Sequence, residues 1–133
     1  MNDSLNNCSS CIFDILKKIL ILQKRNHECD NFSGCDKPFL GPTITDVCYD
    51  TRPIQLFGCC TGTPWTFDYT TTDGVTGSSS ILRVESLDDC CCTCRILYFD
   101  TTTSTYQSTD EFVTIDLNCC GAIRCYSDIF LNI

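Results

Sequence analysis

Histidine is all but missing from this sequence: His27 stands alone among 133 residues. Cysteine–histidine catalysis would therefore rest on one imidazole, set in a turn-rich stretch where a solvated side chain is the default and no orienting group is identifiable. Basic residues are also scarce, nine Lys and Arg against seventeen Asp and Glu for a net charge of −8, and they are scattered. Affinity for nucleic acid comes largely from neutralising phosphates with basic side chains, so a polyanionic partner is excluded. No apolar run reaches the about 20 residues that a bilayer span needs. The best one, IFDILKKILIL, is interrupted by Lys17 and Lys18. The start MNDSLNNCSSC lacks the basic, apolar and small-residue order of an export signal, so no signal peptide is expected. A glycine-rich phosphate loop and a nucleophile elbow are both lacking. The acidic pair Asp88 and Asp89 reads as a turn at a strand end rather than a metal or acid–base site. Neither an enzyme nor a cofactor is expected.

What the chain has in excess is cysteine. Fourteen of them make up just over a tenth of the residues, a density usual in much shorter secreted domains that cannot bury enough apolar surface. At 43% hydrophobic this chain is long enough for its own core. One domain over 1–133 is expected, with a helix over 8–25, a cysteine-containing loop region over 26–53 and a β region over 54–130. Sulfur then exceeds what folding requires. Cytosolic thiols stay reduced, and disulfide-rich proteins usually leave the cell by a signal. The cysteines therefore either bind metal in the cytosol or are oxidised later, after the protein leaves by another route.

Over 8–25, Ile12, Ile15, Leu16, Ile19 and Leu22 recur at helical spacing, with Asp14, Lys17, Lys18, Lys24 and Arg25 largely on other faces. Ser9 or Ser10 suits its cap, and Asp14 and the terminal Lys24 and Arg25 suit the two ends of the helix dipole. The helix either packs on its own domain or docks on a neighbouring subunit. Beyond the turn-forming stretch 26–53 come short segments of β character at 54–60, 65–70, 81–87, 92–99, 111–119 and 122–130. Trp65, Phe67 and Tyr69 alternate along one face and are expected in the core, with a subunit contact as the second reading. The tract TTTDGVTGSSS is expected to be a loop, whereas DTTTSTYQSTD is open between loop and edge strand. Short strands without alternating helices give a mainly β fold, an antiparallel β-sandwich or partly open barrel with one N-terminal amphipathic α-helix.

Adjacent cysteines rarely bond to each other, because a disulfide favours a Cα separation of about 5.5 Å and neighbours sit at about 3.8 Å. Along a strand, neighbours also point to opposite faces, so Cys59-Cys60, Cys90-Cys91 and Cys119-Cys120 each send one sulfur inward and one outward. Cys119 shares its parity with Val113, Ile115 and Leu117, which makes Cys120 the expected outward thiol. Cys90, Cys92 and Cys94 share one face, and Cys91 takes the other. Together with Cys8, Cys11, Cys29, Cys35, Cys48 and Cys125, these are the candidates for disulfides and cross-links. Their complete pairings number roughly 10⁵, so connectivity is not deducible. The alternative is a zinc-binding module using Cys8-x-x-Cys11, Cys92-x-Cys94 and His27 near Cys29, although a zinc ribbon needs two Cys-x-x-Cys knuckles and the chain has one.

Several stretches together resemble the cysteine-rich spore coat protein Y/Z family of endospore-forming bacteria, which includes a structural protein of the exosporium basal layer. They are Cys11 with the aliphatic helix to Leu22-Gln23, then Cys29, GCDKPFLG (34–41), TRPIQLF (51–57), SSILRVESLDDCC (79–91) and VTIDLNCCGAIRC (113–125). One departure lies in the last: Cys119-Cys120-Gly121 stands where the family has a Cys-x-Cys arrangement. The resemblance implies a non-enzymatic building block made in the mother cell cytoplasm without a signal peptide. It would pair with itself, in hexameric units of a two-dimensional sheet, and with other coat or exosporium proteins, and become disulfide cross-linked on the spore surface.

Overall fold

The computed structural model describes residues 10–25, 35, 49–131 and 133. Cys8, His27, Cys29 and Cys48, and most of the expected 26–53 loop region, lie outside the described residues. Helix α1 runs over Cys11–Arg25. Ser10 caps it: its hydroxyl accepts the Ile12 N–H at 3.1 Å and its carbonyl accepts the Phe13 N–H at 3.1 Å, satisfying amides that a helix start leaves without partners. Ile12, Leu16, Ile19 and Gln23 are buried along one line of the helix. Ile15 and Leu22 also fit the apolar repeat, yet they are 37% and 38% exposed. At about 100° per residue they lie roughly 60–80° round from the buried line.

Seven strands follow: β1 (Ile54–Gly58), β2 (Phe67–Thr70), β3 (Thr76–Ser79), β4 (Ile81–Asp88), β5 (Cys91–Asp100), β6 (Thr105–Asp116) and β7 (Cys120–Cys125). Five form an antiparallel sheet in the order β6-β5-β4-β1-β7, and β2 pairs with β3 in a separate hairpin. The sheets are not closed into a barrel, and the mainly β architecture with one N-terminal helix is the one expected. The helix lies on β4 and β7 of its own chain. Gln23 locks it there, its amide donating to the Val84 carbonyl at 2.8 Å and its oxygen accepting the Arg52 N–H at 3.1 Å.

The tract expected as a loop is half strand. Its turn is confined to 71–75, closed by Thr71 N–H to Val75 O at 2.8 Å, with Gly74 at φ +85°. Residues 76–79 are β3, held to β2 by a backbone ladder and by Ser78 donating to Asp68 at 2.7 Å. A strand without apolar residues carries no alternation to read. The second tract likewise turns over 101–104, with Ser104 in the left-handed region at φ +56°, and then becomes the first part of β6. Asp88 and Asp89 do mark a turn, between β4 and β5, with Asp89 at φ +54°.

The sheet is not flat. β1 meets β4 only at Ile54 and Leu82 but pairs with β7 along its length. In a flat antiparallel sheet, Gly58 and the β4–β5 turn would lie at opposite ends, roughly 30 Å apart at about 3.3 Å per residue. Yet Gly58 pairs with Cys120, and Leu117, three residues earlier, donates its N–H to the Cys90 carbonyl in that turn at 2.7 Å. Three residues reach at most about 11 Å. The β1–β7 ribbon therefore folds back across the sheet in the manner of a sandwich. Ile54, Leu56, Leu82, Val84, Cys92, Cys94, Ile96, Ile115 and Leu117 are buried in one cluster with the helix residues, and Trp65, Phe67 and Tyr69 pack against it.

Two charged residues, Asp50 and Arg83, are buried beside this core. Arg83, 8% exposed, donates to Thr51 Oγ1 at 2.9 Å, to the Asp50 carbonyl at 3.1 Å and to Glu85 Oε2 at 2.6 Å. The same Glu85 oxygen accepts from Arg95 Nε at 3.1 Å.

Candidate functional site

The fold-over brings sulfur from three separate segments to one end of the molecule. β1 stops at Gly58, and a turn closed by Gly62 N–H to Gly58 O at 3.0 Å carries Cys59 and Cys60. Both are exposed, because the strand ends before the alternation of faces can apply to them. Their sulfurs lie 3.7 Å apart. The Cys59 N–H donates to the Cys119 carbonyl at 2.9 Å, which sets the second cysteine pair against the first.

The expected orientation of Cys119 and Cys120 is reversed. β6 ends at Asp116, whose carboxylate accepts the Asn118 N–H at 2.9 Å and starts a 3₁₀ turn over Leu117–Cys119. The turn breaks the two-residue period, so Cys119 is exposed while Cys120, the first residue of β7, is half-buried against the core. Beside Cys119 lies an open cleft of about 230 Å³ lined by Trp65, Phe67, Thr114, Ile115 and Asp116.

The run Cys90 to Cys94 keeps its strand parity. Cys91 is exposed on β5 between Asp88 and Asp116 of the neighbouring strands. Cys92 and Cys94 face inward with no exposure at all, their sulfurs 3.3 Å apart. Cys90, in the turn, is disulfide-bonded, and the other ten cysteines among the described residues are free thiols. Cys125 is exposed at the far end of β7 opposite Ile54, while Cys11 and Cys35 are exposed on the N-terminal part of the chain.

Four of these thiols depart from the ordinary value, all upward. The hydrogen bond with Cys60 raises Cys59, with desolvation adding to it. Cys94 is held well above the ordinary range by its hydrogen bond with Cys92 and then by burial. Burial pushes Cys120 to about 11, with the nearby Cys92 and Cys119 acting in the same direction. Burial also raises Cys125, against the opposing pull of Arg52. Thiolate is the attacking species in exchange and the ligand for metal, so this arrangement disfavours fast thiol chemistry. Among the described residues, no three His, Cys, Asp or Glu side chains converge to hold a metal ion. No described helix is long and apolar enough to cross a membrane.

Sequence reasoning found the thiols but not their convergence. The signal was Gly121. A Cβ on it would sit 2.9 Å from the Cys59 Cα, so only a residue without a side chain lets β7 lie this close to the Cys59 turn.

The family description "Spore coat protein Z" matches residues 1–110. The match stops short of Cys119, Cys120 and Cys125, so the likeness read in 113–125 lies beyond it. No curated protein and no solved structure matches the chain. With well over half of its length matched, the chain belongs to the spore coat protein Z family.

Proposed function

We propose that the protein is a structural component of the bacterial spore surface that assembles with copies of itself into a two-dimensional array and is then locked by disulfides between subunits. Membership of a spore coat family supports the structural role and the location, and such families are generally non-enzymatic. Cross-linking is supported by one observation above the others: Cys59, Cys60 and Cys119 are exposed together on one patch, with Cys91 also exposed nearby. Repeated contacts between copies, hexameric units by the family resemblance, build the sheet, and the cleft beside Cys119 offers an apolar contact next to the reactive atoms. The chain folds as one unit, is made in the mother cell and is oxidised after that cell lyses, joined also to other coat or exosporium proteins.

Raised thiol pKa values fit such a late, slow reaction. Exchange during assembly lets misplaced bonds reshuffle, and final oxidation makes dissociation kinetically negligible. Assembled protein run on a gel without reductant is expected as high-mass material that collapses to monomer when reductant is added. The variant Cys59→Ser/Cys60→Ser/Cys119→Ser is expected to assemble under the electron microscope but to lose most of its covalent high-mass fraction. Release of single chains from wild-type assemblies by mild detergent alone would overturn the covalent reading.

A further inference from the structure

Two cysteines in the core do nothing for a cross-linked surface, because no second molecule can reach them. Cys92 and Cys94 have no exposed area, lie on the same face of β5, and hold their sulfurs 3.3 Å apart. The Cα atoms of residues i and i+2 in a strand are roughly 6.7 Å apart, the wide end of the about 4.4–6.8 Å that disulfides bridge. A bond between these two sulfurs needs side-chain rotation and little backbone movement. Half-buried Cys120 packs against the same cluster where the β1–β7 ribbon crosses the sheet, so it touches the core on one side and reaches the exposed Cys119 and Cys59 on the other.

We infer that Cys92 and Cys94 close to a disulfide within the chain on oxidation, by exchange passed inward through Cys120. The oxidant is a small-molecule disulfide, RSSR. Cys120, as thiolate, attacks one of its sulfurs, forming Cys120–S–S–R and expelling RS⁻, which takes up the proton Cys120 released. Cys92, as thiolate, attacks the Cys120 sulfur, forming Cys92–Cys120 and expelling the second RS⁻, which is protonated in turn. Cys94 then attacks the Cys92 sulfur, forming Cys92–Cys94, and the expelled Cys120 thiolate regains a proton from Cys94. In sum, two thiols lose two hydrogens and RSSR becomes two RSH. The order of reaction follows from access: Cys120 is the half-exposed member, and the buried pair meets no solvent. The upward push of Cys92 on Cys120 agrees with their proximity. Nothing in this scheme requires bonding between copies, so it stands or falls apart from the proposed cross-linking.

The test uses the full-length reduced protein, oxidised with excess glutathione disulfide, quenched in acid, blocked with N-ethylmaleimide in denaturant and cleaved with trypsin. Cys92 and Cys94 share the peptide 84–95, whereas Cys120 lies in 96–124. The expected product carries an internal link between Cys92 and Cys94, located by fragmentation and absent after reduction. In Cys120→Ser, closure of the pair is expected to slow about tenfold or more, since the remaining routes begin at fully buried sulfur. Cys120→Ala serves as a second variant should the serine disturb packing, with native circular dichroism required of either. The inference is overturned if Cys92 and Cys94 remain blocked as free thiols in the wild type, if either is found joined to another peptide or subunit, or if both Cys120 variants close the pair at the wild-type rate.

Discussion

Gly121 and Cys59 pass so close that a Cβ on the glycine would lie 2.9 Å from the Cys59 Cα and 3.4 Å from its Cβ. The contact is with backbone, which cannot swing aside. Gly121→Val is expected to push β7 away from the Cys59 turn and cost about 1–3 kcal/mol, as overpacking does. The urea midpoint of the reduced protein measures it. Under the proposed cross-linking, the yield of bonds between copies through Cys59 and Cys119 should fall at the same time, since the two segments no longer share one patch.

Arg83 is the second sensitive point. Its guanidinium is shared among Thr51, the Asp50 carbonyl and Glu85, and Arg83→Ala takes this donor from buried Thr51 and the Asp50 carbonyl and leaves Glu85 with Arg95 alone. Loss of one member of a buried charged network typically costs about 3–5 kcal/mol. A denaturation midpoint within experimental error of wild type would show that the network contributes little.

Helix α1 provides an internal comparison. Leu16 is fully buried and Leu22 is 38% exposed, although both belong to the apolar repeat. Leu16→Ala is expected to cost about 2–5 kcal/mol, and Leu22→Ala no more than about 0.5 kcal/mol in the separated chain. A larger loss for Leu22→Ala in the assembled state alone would mark that flank of the helix as a contact between copies.

The thiols predict a dependence on alkali. Cys59, Cys94, Cys120 and Cys125 are all raised in the folded chain, so above the ordinary thiol value of 9.0 the unfolded state gives up protons that the folded state keeps. Stability of the reduced protein is therefore full below about pH 9 and falls as the pH rises toward about 11. Thermal melting in reductant at pH 8 and pH 10.5 should show a drop in Tm. Alkylation of Cys120 in the native protein should also accelerate about tenfold per pH unit over this range, while Cys92 and Cys94 stay unlabelled until unfolding.

The sequence disclosed those parts of the fold that rest on periodicity. Ile12, Leu16 and Ile19 recur at helical spacing, and Val113, Ile115 and Leu117 alternate, so a helix and a strand with one buried face were legible. The threonine and serine tracts gave no such signal, because β3 and the start of β6 are held by ladder bonds and turn geometry rather than by apolar burial. Cys119 and Cys120 were misassigned because their parity was carried past Asp116, whose short side chain begins a turn by accepting the Asn118 N–H. The convergence of the two cysteine pairs comes from the ribbon folding over the sheet, a tertiary fact to which only Gly121 pointed.

A chain whose perturbed sulfurs are all biased toward the protonated form carries its own delay. In the crowded interior of a living cell such a molecule can be made, folded and stacked in quantity before its covalent chemistry gets under way. In the proposed assembly, the tempo of hardening is then set by how long the finished shell meets oxidant. Copies that arrive late can still find their places before the bonds close.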